Sequence, residues 1–193
     1  MDLEKYKALQ RKDFISKLQN IVGSEPKKLI GIAPFAAHKS KMYPLELMEN
    51  VIEKLNETWK YHILLFGGGK EEIKQLKKIE TKFSSASNIA GILSFKEELA
   101  LISNLDIMLS MDSGNGHLAA MYGVPVVSLW GVTHPYAGFA PFGQPKKNNL
   151  LADRTKYPSI PTSIYGNKFP EGYEDAIRTI LPQDVINKIF EIL

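Results

Sequence analysis

Residues 112–117 (DSGNGH) carry the residue types that most directly suggest a binding site. They follow an apolar run and lead into a helical pattern. Gly114 and Gly116 remove side chains where a backbone must approach a ligand, and the N–H groups at a helix start offer hydrogen-bond donors and partial positive charge. This combination suits the oxygens of a diphosphate.

The polar side chains of this segment also fit a purely structural interpretation. Asp112 or Ser113 could cap the helix that follows, and spacing alone does not separate capping from ligand binding. His117 could donate to a phosphate or sugar oxygen, or it could be a satisfied structural group in a first helical turn. Both interpretations predict a helix start here.

Two other loops carry charged side chains that could complete a nucleotide site. Residues 34–44 include Lys41, whose ammonium group could form a charge-assisted hydrogen bond with a phosphate. Residues 67–72 (GGGKEE) combine a glycine turn with Glu71 and Glu72, and a carboxylate there could accept the hydroxyls of a nucleotide ribose. Acidic residues are also favoured in the first turn of a helix by its dipole, so at most one of the two needs to bind ribose.

The sequence lacks the motifs of several other kinds of catalytic or binding site. The chain has no G-x-S-x-G elbow, H-E-x-x-H pair or G-x-G-x-x-G fingerprint, and GGGK at residues 67–70 lacks the flanking residues of a Walker motif. With no cysteine, thiol nucleophiles and thiolate metal sites are excluded. We therefore expect no hydrolase triad, no metal site and no bound cofactor.

Alternating apolar runs and amphipathic patterns predict the elements that bring these loops together. Apolar runs typical of buried strands lie at residues 29–33, 62–66, 88–90, 107–111 and 126–129. Helical patterns separate or flank them at residues 9–22, 45–55, 73–83, 94–101, 117–122 and 182–193. Strands alternating with helices imply a parallel sheet covered on both faces, so the sequence predicts an α/β, Rossmann-like fold.

Composition and length fit one domain of this kind. Hydrophobic residues make up 44% and charged residues 23% of the 193 residues, as in soluble globular proteins. We predict a leading helix and linker over residues 1–28, a Rossmann-like core over 29–151, and an irregular strap with a terminal helix over 152–193. No apolar run reaches the roughly 20 residues of a membrane span and no signal peptide is evident, which predicts a cytoplasmic protein.

The positive charge of the chain is concentrated near its start. Residues 1–41 contain nine Lys or Arg and four Asp or Glu, whereas the net charge of the whole chain is +3. A run of this kind is typical of a solvated basic face on a leading helix, and it is also compatible with an anionic partner. No RNA-binding aromatic motif accompanies it, so we expect no nucleic acid as the partner.

Five segments, taken in order, resemble the carboxyl-terminal domain of glycosyltransferase family 9, the ADP-heptose:lipopolysaccharide heptosyltransferases and their relatives. The matching segments are residues 34–44, 66–69, 88–101, 111–120 and 125–133. They match the family patterns L-x-G-G, D-[TS]-G-x-x-H-L-A-A and G-x-P-V-x-x-L-[FW]-G-x-T, and they match K-x-W-P except that Tyr43 stands at the Trp position. The resemblance covers about residues 29–145, and the order of the motifs makes it specific.

This resemblance implies one half of a GT-B glycosyltransferase, binding a nucleotide-diphosphate sugar such as ADP-heptose for lipopolysaccharide core synthesis. The family positions that line the donor diphosphate correspond to Lys41, Ser113, Gly114 and His117. Asp112 belongs to the same motif, and a carboxylate near Glu71 or Glu72 holds the ribose. A lipid-linked saccharide acceptor and contact with the inner face of the cytoplasmic membrane are also implied.

Departures from the family pattern limit what can be carried over. Phe35 replaces a usual Gly, Tyr43 a usual Trp, and Ala36 and Ala37 stand where some members place hydroxyl groups, so donor affinity or identity could differ. The proposed catalytic base of the family is an aspartate of the amino-terminal half, which must face the donor across a cleft. We therefore expect no catalytic residue in this chain, and weak or no transfer by it alone.

Two alternatives remain from the sequence. The chain could be a non-catalytic nucleotide-sugar-binding module or an accessory subunit, for which an exposed apolar patch around Tyr136, Phe139 and Phe142 would serve as a docking surface. It could also be a nucleotide-sugar epimerase with a similar domain, which would need its own acidic and histidine residues for proton transfer in the same cleft.

Overall fold

The fold is built on one parallel sheet. The computed structural model describes residues 7–8, 10–23, 27–137 and 139–193. Within them, six strands pair in the order β3-β2-β1-β4-β5-β6, and every pairing is parallel. The strands are β1 (Lys28–Ala33), β2 (Tyr61–Leu65), β3 (Ala86–Asn88), β4 (Ile107–Met111), β5 (Val126–Trp130) and β6 (Asn149–Leu151).

In the described part of the chain, six α-helices cover this sheet on both faces. They are α1 (Ser16–Val22), α2 (Leu45–Glu57), α3 (Gly69–Lys82), α4 (Phe95–Ile102), α5 (Gly114–Met121) and α6 (Pro182–Ile192). Buried side chains of α2, α3 and α6 form one hydrophobic core with one face of the sheet, and those of α1, α4 and α5 form a second core with the other. This confirms the predicted Rossmann-like arrangement.

The strand order creates a crevice between β1 and β4. From β1 the chain first builds outward to β2 and β3, and it then crosses back to start β4 on the other side of β1. The loops that follow β1 and β4 therefore leave the sheet side by side in opposite directions, which is where ligands bind in open parallel sheets. The two loops with the strongest sequence signals, residues 34–44 and 112–113, meet at this point.

Local sequence signals explain several element boundaries. Ser94 and Glu97, with the S-x-x-E spacing of a capping box, form one at the start of α4, since each side chain bonds the backbone N–H of the other residue. Pro182 occupies the first turn of α6, where its missing N–H costs nothing. Phe190 of α6 is 43% exposed and stacks on Tyr61 with the ring centroids 6.2 Å apart.

Three predicted elements differ in the structure. The third strand lies at Ala86–Asn88 and not at residues 88–90, because the Asn88 side chain accepts the N–H of Ala90 at 3.0 Å and turns the chain there. Helix α5 begins at Gly114, three residues before the predicted start at His117, because its glycines resemble a turn. The leading helix is only Ser16–Val22, preceded by a 3₁₀ turn at Arg11–Asp13, and Leu9 lies outside the described residues.

The segment after β5 was predicted to be irregular, and most of it is. The strand β6, which has three residues and extends the sheet beside β5, was not predicted. Beyond it, residues 152–181 form turns and a 3₁₀ helix, and they bury a small apolar cluster against Val132. No helix in the described part of the chain is long and apolar enough to cross a membrane.

Candidate functional site

A buried ion pair joins the loops that follow β1 and β4. The ammonium Nζ of Lys41 lies 2.7 Å from Oδ2 of Asp112, and their side chains are only 13% and 4% exposed. The hydroxyl of Thr133, just after β5, donates to the same carboxylate oxygen at 3.1 Å. The structure thus brings together two predicted site residues that are 71 positions apart in the sequence.

This pairing still leaves Lys41 able to bind an anion. A lysine ammonium has three N–H donors, and Asp112 is its one ion-pair partner among the described residues. The buried carboxylate fixes the position of the charge and engages one side of the ammonium group. Lys41 is therefore a cationic group held at the crevice between β1 and β4.

The start of α5 is not capped by its own N-cap side chain. Ser113 stands at the N-cap position without a capping hydrogen bond, and its Oγ lies 3.1 Å from Oγ of Ser110. The Asp112 carboxylate is directed to Lys41 and Thr133. The capping alternative is therefore wrong for both residues, and this helix start has donors and partial positive charge to offer a ligand.

The two glycines of α5 have different roles. A Cβ on Gly114 would have no atom within 4 Å, so this position opens onto free space at the helix start. A Cβ on Gly116 would lie 3.0 Å from Oγ and 3.2 Å from Cβ of Ser110. Gly116 thus serves the close packing of α5 on β4, which corrects the prediction that both glycines make room for a ligand.

His117 lies one turn into α5, on the same side as Gly114 because residues three apart are neighbours on a helix. Its side chain is partly exposed.

Asn115 makes a long contact of 3.5 Å to Oε1 of Glu98 on α4, and burial raises the pKa of that carboxyl group. Glu98 was not predicted from the sequence as a site residue, because nothing local shows that α4 and α5 meet.

Glu71 and Glu72 are separated by their surroundings. Oε2 of Glu72 accepts the backbone N–H of Gly68 at 2.8 Å, so this carboxylate stabilises the start of α3. It also lies beside the loop after β1, since a Cβ on Gly67 would be 3.2 Å from Oε2 of Glu72 and 3.3 Å from Cδ2 of Phe35. Glu71 is exposed. Of these two residues, only Glu72 faces the loop after β1 (residues 34–44), which we call the first loop.

A cavity of about 260 Å³ lies between the first loop and α3. Its lining residues are Pro34, Phe35, Lys39, Met42, Tyr43, Pro44, Leu45 and Gln75. Gln75 follows Glu72 by three residues, so both side chains lie on the same side of α3. Gln75 was not predicted from the sequence, although its spacing from Glu72 was a usable signal.

Tyr43 anchors the first loop to the end of the chain. It is 2% exposed, and its hydroxyl donates to the carbonyl oxygen of Ile180 at 2.7 Å, just before α6. Burial, reinforced by the charge of Asp184, raises the pKa of this phenol far above its ordinary value. The residue that replaces the tryptophan of the family pattern therefore has a structural hydrogen bond of its own.

The three aromatic residues of the predicted docking patch are on the surface. Tyr136, Phe139 and Phe142 are 76%, 37% and 62% exposed, and the ring of Phe139 lies 5.8 Å from that of Tyr165. In the part of the chain that the structure describes, no group of three or more His, Asp or Glu side chains could hold a metal ion.

The sheet order and the charged loops at its switch point define a Rossmann-like α/β domain. The sequence model of glycosyltransferase family 9 (heptosyltransferase) matches residues 2–166, and the chain belongs to this family. It is 28% identical over 179 residues to lipooligosaccharide heptosyltransferase 2 of Haemophilus influenzae, covering 90% of this chain and 49% of that protein. The chain therefore spans about half the length of this relative.

Solved structures show the same fold. The E. coli ADP-heptose lipopolysaccharide heptosyltransferase II matches with a TM-score of 0.68 at 20% identity, over 91% of this chain and 49% of that one. The E. coli heptosyltransferase WaaC with ADP matches with a TM-score of 0.65 at 18% identity, over 91% and 47%. The domain is thus one half of the GT-B architecture of these enzymes.

Proposed function

We propose that this chain is the donor-binding half of an inverting glycosyltransferase and holds the diphosphate of a nucleotide sugar between the first loop and α5. The observation that carries the proposal is the position of Lys41, fixed by Asp112 at the crevice where the uncapped start of α5 also lies. A fixed ammonium group and helix-start N–H groups together suit a diphosphate.

The rest of a nucleotide fits the neighbouring features. Glu72 would accept a ribose hydroxyl through Oε1, because its described hydrogen bond occupies Oε2. The base would enter the cavity beside Phe35, with the amide of Gln75 able to hydrogen-bond its edge. Glu71, exposed and outside this arrangement, is not needed.

The donor is proposed to be ADP-linked, and the sugar a heptose. Support comes from the relatives, since the E. coli structures are of an ADP-heptose heptosyltransferase and of WaaC with ADP. By the same relationship we propose a lipid-linked saccharide acceptor, a place in lipopolysaccharide core synthesis, and work at the inner face of the cytoplasmic membrane.

In the transfer reaction these residues would stabilise the leaving group. An acceptor hydroxyl attacks the sugar carbon, the bond to the diphosphate breaks, and negative charge develops on the departing phosphate oxygens. Lys41 and the N–H groups of Ser113 and Gly114 would stabilise that charge, and His117 would donate to a phosphate or sugar oxygen. The base that deprotonates the acceptor would come from the half that this chain does not contain, so we propose that the chain alone transfers poorly or not at all.

A second candidate is a nucleotide-sugar-binding module or accessory subunit that docks on another chain. The exposed aromatic side chains of Tyr136, Phe139 and Phe142 favour it. The two candidates share the donor site and differ in whether transfer appears when an amino-terminal half is added. The epimerase alternative is less favoured, because the chain belongs to a family of transferases.

Calorimetric titration of ADP, UDP and GDP without added metal tests the proposed donor site. We expect ADP to bind most tightly, and Lys41→Ala to weaken ADP binding at least about tenfold, as expected for one lost charge-assisted hydrogen bond. Lys54→Ala is the matched control, because Lys54 lies on the exposed surface of α2 and pairs only with the neighbouring Glu57 among described residues. No nucleotide binding, or equal binding by the two variants, would contradict the proposal.

A further inference from the structure

The alkyl chain of Lys41 is enclosed by a distant part of the molecule. Gly166 lies so close that a Cβ at this position would be 2.6 Å from Cγ and 2.7 Å from Cδ of Lys41, and 3.1 Å from Cγ2 of Thr133. Gly166 has a φ of +75°, a conformation that side-chain-bearing residues rarely adopt. Only glycine satisfies both the backbone and the space beside this lysine.

Hydrogen bonds hold Gly166 in place. Its N–H donates to Oγ of Ser163 at 2.8 Å, and its carbonyl oxygen accepts from the hydroxyl of Ser40, the residue before Lys41. Thr162 fixes the same turn to the end of β5, donating its N–H to Val132 at 3.0 Å and its hydroxyl to Lys168 at 2.7 Å. Residues 162–168, which we call the covering turn, are therefore built against the first loop.

The first loop also contacts the backbone that follows β5. A Cβ on Gly131 would lie 2.6 Å from the carbonyl oxygen of Ser40, so the backbone after β5 and the backbone before Lys41 are in direct contact. The lysine is thus held at three places: the Ser40 carbonyl that precedes it lies against Gly131, its methylene chain lies against Gly166, and its ammonium group pairs with Asp112. A free lysine side chain has many rotamers, and this one has few left to lose when a ligand binds.

We propose that Gly166 is a positioning residue for the diphosphate site, because the covering turn restricts Lys41 to the conformation in which its ammonium group faces the donor phosphates. The proposal rests on the proposed function, since it assigns Gly166 to the same site. Gly166 itself does not touch the ligand. Its effect passes through the methylene chain of Lys41, so it should be felt by ligands that carry the diphosphate.

Gly166→Ala and Gly172→Ala form a matched pair of variants. Both glycines lie in the segment after β6 and have positive φ, +75° and +85°, so alanine strains the backbone similarly. A Cβ on Gly172 would meet nothing within 4 Å. Ser163→Ala is a milder third variant, which removes the acceptor of the Gly166 N–H without adding an atom near Lys41.

The first measurement needs no ligand. Reductive dimethylation at low conversion, followed by peptide mass spectrometry, reports how accessible the Lys41 amine is. We expect it to react several-fold faster in Gly166→Ala than in the original chain, to a smaller extent faster in Ser163→Ala, and unchanged in Gly172→Ala. Equal rates at Lys41 in the Gly166 and Gly172 variants would overturn the proposal.

The second measurement is calorimetric titration with ADP and with adenosine, which lacks the phosphates. Gly166→Ala should weaken ADP binding about tenfold, the fold-change expected when one charge-assisted hydrogen bond is misplaced, and leave adenosine binding unchanged. In a Lys41→Ala background the same substitution should affect ADP no more than Gly172→Ala does. Equal losses for ADP and adenosine, or an unchanged loss without Lys41, would show a general structural effect and overturn the proposal.

These outcomes separate the two claims. If Lys41→Ala leaves ADP binding unchanged, the proposed function fails, whereas the labelling comparison still decides whether Gly166 restricts the lysine. If Lys41→Ala weakens ADP binding and Gly166→Ala behaves like Gly172→Ala, the donor site stands and the positioning role of Gly166 fails.

Discussion

The buried pair between Lys41 and Asp112 makes a quantitative prediction about stability. Lys41→Met keeps most of the apolar volume and removes the charge, which leaves the Asp112 carboxylate, 4% exposed, with only the Thr133 hydroxyl as its described partner. Removing one partner of a buried pair costs about 3–5 kcal/mol, because the remaining charge is desolvated without compensation. The lysine is 13% exposed, so some water reaches the site and we expect the lower end, about 3 kcal/mol.

The double variant Lys41→Met with Asp112→Asn tests the origin of that loss. With the carboxylate neutralised, the penalty for a buried unpaired charge disappears, and the stability should return to within about 1 kcal/mol of the original chain. For a chain of this size, about 3 kcal/mol corresponds to a decrease of roughly 6–12 °C in Tm. Urea unfolding followed by circular dichroism measures both variants.

Two results would contradict this explanation of the stability loss. If Lys41→Met is as stable as the original chain, the pair is not in a desolvated environment. If the double variant is less stable than Lys41→Met, the loss does not come from an unpaired Asp112. Lys54→Met, which breaks an exposed pair on α2, is the control and should leave the unfolding curve unchanged within error.

Three further predictions concern other features of the fold. Gly116→Ala should destabilise the domain by about 1–3 kcal/mol, because its Cβ would press on Ser110. Gly114→Ala should leave the urea midpoint unchanged or raise it, while weakening ADP binding. Equal destabilisation by the two variants would contradict their separate roles. Tyr43→Phe should cost about 1–2 kcal/mol in urea unfolding, since the buried Ile180 carbonyl loses its donor; no loss would argue against that bond. Burial lowers the pKa of His62, so the unfolded chain binds a proton that the folded chain does not, and stability should fall as the pH drops below about 6.5. His62→Gln should therefore reduce the slope of Tm against pH between about 7 and 5.5. An unchanged slope would contradict this.

Much of the fold was predictable because its signals are local. The buried strands were visible as short apolar runs, and β4 begins and ends where the sequence predicts. The capping box fixed the start of α4. A general rule of parallel sheets, that loops after neighbouring strands meet, was enough to expect Lys41 and residues 112–117 at one edge.

What the sequence did not predict depends on contacts between distant residues. The strand β6 has three residues and no periodicity, and it exists because β5 offers it an edge. The choice of Glu72 over Glu71 depends on where the first loop passes, and the packing role of Gly116 depends on Ser110. The enclosure of Lys41 by Gly166 joins residues 125 positions apart, which no local pattern can show.

The proposed site for the diphosphate of a nucleotide lies between Lys41 and the start of α5. A crystal structure of the chain with ADP tests it most directly. We expect a phosphate oxygen within hydrogen-bond distance of Lys41 Nζ and others facing the backbone N–H groups of Ser113 and Gly114. ADP bound with its phosphates away from Lys41, for example at the cavity between α1 and α4, would contradict it.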